Sequence, residues 1–286
     1  MARAKLMNGV QVRANAEVHE IQEAYNLGAR LFRFQIFNYE NLPDWRSEVD
    51  KQTDRFLSIY PALPKNATYI LDLHNAPGSG SIDESIVRLA VIDYWQATAG
   101  KLKEFKNVHY GVLNEPKGTL SNTNLLMSFV YDRIRQTERN LNITPKIICV
   151  TTPYANPTML NRIVTFKDTL VWYEVHVYVP MQFTHQQIPN GEYPKPCKLT
   201  DKLIERLKTS LSNVYAFKDE NCSSQIYIGE FGCVDFATDS DRAKWYRTCY
   251  QHWAKLRAHS TLHAWREWEH WQPSGKALEV VKNNLK

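Results

Sequence analysis

The chain has 286 residues, 43% of them hydrophobic, 23% charged and 12% aromatic, with 35 Lys and Arg against 30 Asp and Glu for a net charge of +5. That composition excludes intrinsic disorder and fibrous repeats. The basic residues alternate with acidic ones, as in Asp201-Lys-Leu-Ile-Glu-Arg-Leu-Lys208, rather than gathering into the stripe of a nucleic-acid binder, and no apolar run reaches the roughly 18–20 residues of a membrane span.

Along the chain, short apolar segments alternate with longer amphipathic ones. Gly9–Arg13 is the first strand, and Glu17–Leu27 a helix with Gly28 at its C-cap position. The second strand, Leu31–Phe37, puts Phe32, Phe34 and Ile36 on one face and Arg33 and Gln35 on the other. With the apolar face against helices, Arg33 points inward and needs a carboxylate partner, whether in a structural ion pair or in a site. The third strand, Thr68–His74, carries Asp72 and His74 on one face and ends in Ala-Pro-Gly-Ser-Gly80. A lone histidine there reads first as a satisfied core group; its place beside a tight loop favours function.

Residues 83–104 form a loop and helix, and Val108–Asn114 the fourth strand. Pro116 cannot continue a ladder, so Glu115 sits at that strand's mouth. After a helix over Asn124–Asn140 come the fifth strand, Lys146–Thr152, and the sixth, Leu170–Tyr178, with Glu174, His176 and Tyr178 on one face. A helix over Thr200–Lys218 leads to the seventh strand, Gln225–Gly229. Here Ile226, Ile228 and Glu230 alternate on one face, carrying Glu230 inward at the strand's end. Burying a lone carboxylate is costly, so such a group points to use. A helix over Asp239–Arg257 and an eighth strand over Leu262–Trp268 complete the series.

Eight strands with intervening helices predict a single α/β domain over residues 1–286, a closed (β/α)8 TIM barrel. The rival, a doubly wound open sheet, lacks a Gly-rich phosphate loop after any strand. Barrel active sites lie at the C-terminal strand ends, where Glu115 and Glu230 fall. They are 115 residues apart, and three barrel units of roughly 36 residues each span about that distance, so both face one cavity. Two such carboxylates suit glycosidic cleavage. A metal set of His74, His176 and Glu174 is the weaker alternative, because no His-x-His or His-Glu-x-x-His spacing supports it. Cys149 and Cys233 read as buried thiols, while Cys197 and Cys222 fall in loops and are open to pairing.

Taken in order, these segments resemble glycoside hydrolase family 5, the cellulase family of clan A, over most of the chain from Gly9 to Trp268. The resemblance rests on Arg33, on Leu-Asp-Leu-His-Asn75 with Ala-Pro-Gly, on Leu-Asn-Glu-Pro116, on Val-His-Val-Tyr178, on Phe-Thr-His-Gln186 and on Ile-Gly-Glu-Phe-Gly232. It implies a retaining double displacement with Glu115 as acid/base and Glu230 as nucleophile, their carboxyls about 5–5.5 Å apart. Arg33 and Tyr178 would keep Glu230 ionised, and Glu115 would begin protonated. Asn114 would bind the 2-hydroxyl of the reacting sugar, with His74, Asn75 and His176 completing the polar shell. The floor of that subsite would be an aromatic at the end of strand 8, aligned here with Trp265 or, if the strand bulges, Trp268.

The implied activity needs no cofactor or metal, and its partner is a polysaccharide or oligosaccharide rather than nucleic acid or membrane, acted on by a monomer. Endo-acting cleavage of β-1,4-glucan is expected first, with mannan, xyloglucan, mixed-linkage glucan or exo-acting removal of single sugars as alternatives. A non-catalytic sugar-binding barrel is disfavoured because both glutamates and their supports are present. Residues 1–9 lack the apolar stretch of a signal peptide, so secretion is expected if a leader has been removed and a cytoplasmic place otherwise.

Overall fold

The computed structural model describes residues 6–266 and 270–286. Eight parallel strands close into a barrel in sequence order: β1 (Asn8–Arg13), β2 (Leu31–Ile36), β3 (Thr68–Leu73), β4 (Val108–Gly111), β5 (Ile148–Thr151), β6 (Val171–Val177), β7 (Gln225–Phe231) and β8 (His259–Leu262). Closure comes from β1 pairing with β8, Asn8 opposite Ser260. The helices α1 (Val18–Asn26), α2 (Asp44–Ile59), α3 (Ser85–Lys101), α4 (Leu120–Asn140), α5 (Met181–Thr184), α6 (Asp201–Ser210), α7 (Ser212–Glu220), α8 (Asp239–Leu256) and α9 (Gly275–Leu285) lie between and after the strands. Only 3-10 turns link β5 to β6. Local chemistry sets the helix starts: Thr119, Thr200 and Thr238 each accept a backbone N–H of the first turn with their side chains.

Side-chain alternation sorts the core into two parts. Phe32, Phe34, Ile36, Tyr173, Val175, Ile226, Ile228 and Phe231 pack outward with the helices. Inward, Leu31, Ile70, Cys149, Trp172 and Tyr227 form a separate plug. Above that plug, towards the C-terminal strand ends, the interior turns polar with Arg33, Asp72, Glu174, His176 and Glu230, all buried.

Three expectations are corrected, and one open question is answered. The eighth strand is His259–Leu262, not Leu262–Trp268, because the strand that closes onto β1 is the more polar His-Ser-Thr-Leu run, not the aromatic one after it. The fourth strand stops at Gly111, three residues before Asn114. The seventh runs on through Glu230 to Phe231. Cys197 and Cys222 are both free thiols.

Glu230 does not reach the interior by the alternation of β7. Ile226 and Ile228 face the helices, so simple alternation would send Glu230 outward with them. The pairing of β6 with β7 shifts instead: Val175 lies opposite Ile228, but His176 lies opposite Glu230. Gly229 is the extra residue of a β-bulge, which re-aims the next side chain inward. A Cβ on Gly229 would sit 1.9 Å from Glu174 Oε1, so only glycine leaves room for that carboxylate.

Candidate active site

Arg33, with its side chain fully buried, is the hub. Its Nη1 donates to Gln11 Oε1 at 2.9 Å and Glu230 Oε1 at 2.6 Å. Its Nη2 donates to Asp72 Oδ1 at 3.0 Å and Asn114 Oδ1 at 2.6 Å, and lies 3.1 Å from Glu174 Oε1. One guanidinium thus ties side chains from β1, β3, β6, β7 and the segment after β4. A buried cation needs such partners, and the planar fork of Arg can serve several at once.

Glu230 receives a second hydrogen bond from Tyr178, whose hydroxyl donates to Oε2 at 2.7 Å. Burial alone would raise its pKa. The positive charges of His176 and Arg33 outweigh burial and hold the carboxyl well below the usual carboxylate range. Tyr178 is pushed the other way, first by burial and then by the Glu230 charge, so it remains a donor.

His176 stands between the two glutamates of interest. Its Nδ1 is 2.8 Å from Glu115 Oε1 and 3.7 Å from Glu230 Oε2, and its Nε2 is 3.1 Å from Glu174 Oε1. Burial disfavours the charge, but Glu230, Glu115 and Glu174 together lift its pKa to about 10. The ring is therefore an imidazolium at neutral pH, donating from both nitrogens. Carboxylate oxygens of Glu115 and Glu230 lie with a His176 nitrogen inside a 4.8 Å span, close enough to hold a cation by geometry alone.

The surroundings of the two glutamates differ. The Glu230 side chain is 7% exposed and tied to Arg33 and Tyr178; that of Glu115 is 42% exposed and has His176 as its partner. His74 Nδ1 is held by Asp72 Oδ2 at 2.9 Å, leaving Nε2 turned towards the Asn114 amide at 3.5 Å. Arg33, His74, Asn114, Glu115, His176, Tyr178 and Glu230 are thus brought together.

Asn75 is placed differently. Its amide accepts from the Asn38 backbone N–H at 2.8 Å and donates to the Asn38 carbonyl, so it fastens the loop after β2 to that after β3. Trp265 does not form the floor of the cleft. It is 3% exposed and packs into the helix-side core, because β8 ends earlier than expected and the following turn carries the indole outward. Trp268 lies outside the described residues.

What borders the site at that point is His263, the residue directly after β8. Its Nδ1 is 3.8 Å from Glu230 Oε2 and has no hydrogen-bond partner among the described residues. Burial brings its pKa down to about 4, against the pull of Glu230. Trp271 packs beside it, ring centroids 5.1 Å apart, and also touches Tyr178 and His185. Neither His263 nor Trp271 was legible as a site residue, since both depend on where β8 ends.

Two cavities flank the glutamates and share Phe37, Tyr39 and His74. The larger, about 660 Å³, is bordered by His263 and Trp271 on the Glu230 side. The smaller, about 190 Å³, is bordered by Asn114, Glu115, Lys117 and Tyr154. The first lies within the range of small-ligand sites, roughly 300–1,000 Å³.

Comparison with known proteins identifies the family and the fold. The family described as "Cellulase (glycosyl hydrolase family 5)" matches residues 12–271. Cellodextrinase A of Ruminococcus flavefaciens is 23% identical over 241 residues, covering 79% of this chain and 68% of that protein. Endoglucanase C of Acetivibrio thermocellus is 22% identical over 295 residues, covering 77% and 84%. Among solved structures, Thermotoga maritima Cel5A in complex with cellobiose superposes with a TM-score of 0.81 at 17% identity, covering 96% of this chain and 97% of the other.

Proposed function

The chain belongs to glycosyl hydrolase family 5 and is a glycoside hydrolase; we propose that it cleaves β-1,4-linked glucan with retention of configuration, Glu230 attacking and Glu115 managing the proton. The observation that carries this reading is the carboxyl pair, with Glu115 and Glu230 oxygens no more than 4.8 Å apart. Retaining enzymes hold their carboxyls at about 5–5.5 Å, whereas inverting ones leave about 6.5–9.5 Å for a water.

Glu230 stays ionised and is aimed by Arg33 and Tyr178 at the anomeric carbon. Attack forms a glycosyl ester on Glu230 while Glu115 gives its proton to the departing glycosidic oxygen. Glu115 then takes a proton from the water that attacks the ester, releasing the sugar and restoring both side chains. His176 fixes one Glu115 oxygen through its Nδ1–H, leaving the other oxygen to carry the transferred proton. Asn114, fixed by Arg33, and His74, fixed by Asp72, are placed to hydrogen-bond the reacting sugar. The relatives' names, cellodextrinase and endoglucanase, support glucan as the substrate.

Glu230→Ala is expected to lower kcat by roughly 10⁴- to 10⁶-fold while oligosaccharide binding persists. Reducing-end assays on cellulose derivatives, mannan, xyloglucan and mixed-linkage glucan identify the polymer. Unchanged turnover in Glu230→Ala, or activity that disappears with EDTA, would refute the two-carboxylate mechanism.

A further inference from the structure

The two cavities are not equivalent to a bound sugar chain. The acid serves the departing oxygen, so the leaving portion extends past Glu115, towards the small cavity bordered by Lys117 and Tyr154. The portion transferred to Glu230 occupies the large one, beside His263 and Trp271.

That larger cavity is bounded on one side by Arg13, Ala14 and Asn15, which end and follow β1, and on the other by Gln52 and Arg55 of α2. The two walls are joined. Arg55 Nη2 donates to the Asn15 carbonyl oxygen at 3.0 Å and reaches Glu17 Oε1 at 3.3 Å, and both Asn15 and Arg55 line the cavity. One helical turn earlier, Gln52 is braced by both ends of its amide, accepting from Phe37 N–H at 2.8 Å and donating to the Phe37 carbonyl at 2.6 Å. The α2 wall is thereby fixed to the end of β2. Arg13 is held on its own side by Glu20 at 3.2 Å.

We propose that the Arg55–Asn15 tie closes the large cavity at its outer end, so that it receives the non-reducing terminus of a β-1,4-glucan chain and counts a fixed number of sugars to the bond cleaved. This rests on the glucanase reading and narrows the endo-acting mode expected from the sequence. The arrangement suits a chain end: Tyr39, in edge contact with Phe37, and Trp271 offer apolar surfaces for sugar faces, while Arg55, Asn15 and Gln52 offer polar groups for terminal hydroxyls. The Arg55–Glu17 ion pair is solvent-exposed and by itself weak, and the same Nη2 makes the shorter bond to the Asn15 carbonyl that joins the two walls.

The test uses cellotetraose, cellopentaose and cellohexaose labelled at the reducing end, digested by the wild-type enzyme and by Arg55→Ala. The wild type is expected to release the same short unit from the non-reducing end of each, so the labelled fragment grows with substrate length. Arg55→Ala, which removes the tie to Asn15, is expected to move the main cleavage at least one sugar towards the label. On carboxymethylcellulose it should lower viscosity more per reducing end formed. Cleavage counted from the reducing end, or an identical product pattern in Arg55→Ala, would overturn the closed-end proposal while leaving the glucanase reading intact. Failure to cleave any of the three oligosaccharides would overturn the glucanase reading and this proposal with it.

Discussion

His176 has carboxylates on three sides: Glu115 from the segment after β4, Glu174 from its own strand and Glu230 from β7. Tyr178 titrates well above 10 and adds no charge near neutrality. The folded pKa of His176, about 10, stands above the roughly 6.5 of an unfolded histidine. Its contribution to stability is therefore complete below about pH 6.5 and is lost as pH rises towards 10, because the folded chain holds a proton that the unfolded chain has released. Thermal midpoints measured from pH 6 to pH 10 should fall in the wild type and fall less in His176→Gln. Parallel curves for the two would show that the ring is not a buried imidazolium. At this scale the sequence was informative about direction more than about partners. Alternation in Leu31–Phe37 pointed Arg33 inward and demanded a carboxylate, but a guanidinium meeting Asp72, Glu174, Glu230, Asn114 and Gln11 is a product of closure. Those partners lie up to 197 residues away, and no local pattern connects them.

The elements that place the site are β7 and β8, and both differ from simple alternation. In β7 the bulge at Gly229 turns Glu230 inward, and the Glu174 carboxylate occupies the space a Cβ would need. Gly229→Ala forces Glu174 to move and with it the contacts of Glu174 to Arg33 and His176. The expected cost is about 1–3 kcal/mol of stability, as for other overpacked interiors, with kcat reduced on the order of 10²-fold by misplacement of the carboxyls. Urea denaturation and kinetics on the same preparation check both; a variant with wild-type kcat and midpoint would mean that the bulge does not position Glu230. A glycine inside a strand is the sole local hint of such a bulge, and Ile-Gly-Glu otherwise reads as ordinary alternation. The eighth strand was misplaced for a related reason. His259-Ser-Thr-Leu262 has little apolar character of its own and is a strand because it pairs with both β1 and β7, whereas Trp265 lies beyond the ladder after a turn, with its N–H donating to the Gln11 carbonyl of β1 at 3.0 Å and its indole in the helix-side core. In α2 the buried Trp45, Val49, Thr53 and Phe56 do recur at helical spacing, but that Arg55 on this helix meets Asn15 after β1 is a product of the fold that no local pattern carries.

For the whole molecule, the barrel was readable because eight apolar segments recur at near-regular spacing, which few architectures besides a closed parallel sheet accommodate. Closure also leaves histidines buried or half-buried at both ends, and these link the fold to pH. At the N-terminal end, His109 Nδ1 accepts the Ile147 backbone N–H at 3.1 Å, and His259 Nδ1 accepts that of Met7 at 3.1 Å while its ring stacks on Trp172 at 4.0 Å. Each bond needs a lone pair, so each ring is neutral. Burial, helped by Lys146 and Lys218 respectively, takes their pKa values down to about 3 and about 4. At the catalytic end His185 and His263 are held near 4, chiefly by burial. With folded values below the unfolded 6.5 or so, the unfolded chain gains protons that the folded one refuses. Stability from these four rings is complete above about pH 6.5 and drains away as pH falls towards 4, before the depressed carboxyl of Glu230 begins to titrate. Thermal midpoints between pH 7 and pH 4 should therefore decline, and His259→Gln, whose amide oxygen can still accept the Met7 N–H, should flatten part of that decline. A wild-type midpoint that stays level to pH 4 would mean that these rings are protonated in the folded barrel, and that the Met7 and Ile147 hydrogen bonds do not tie the starts of β1 to β8 and of β5 to β4.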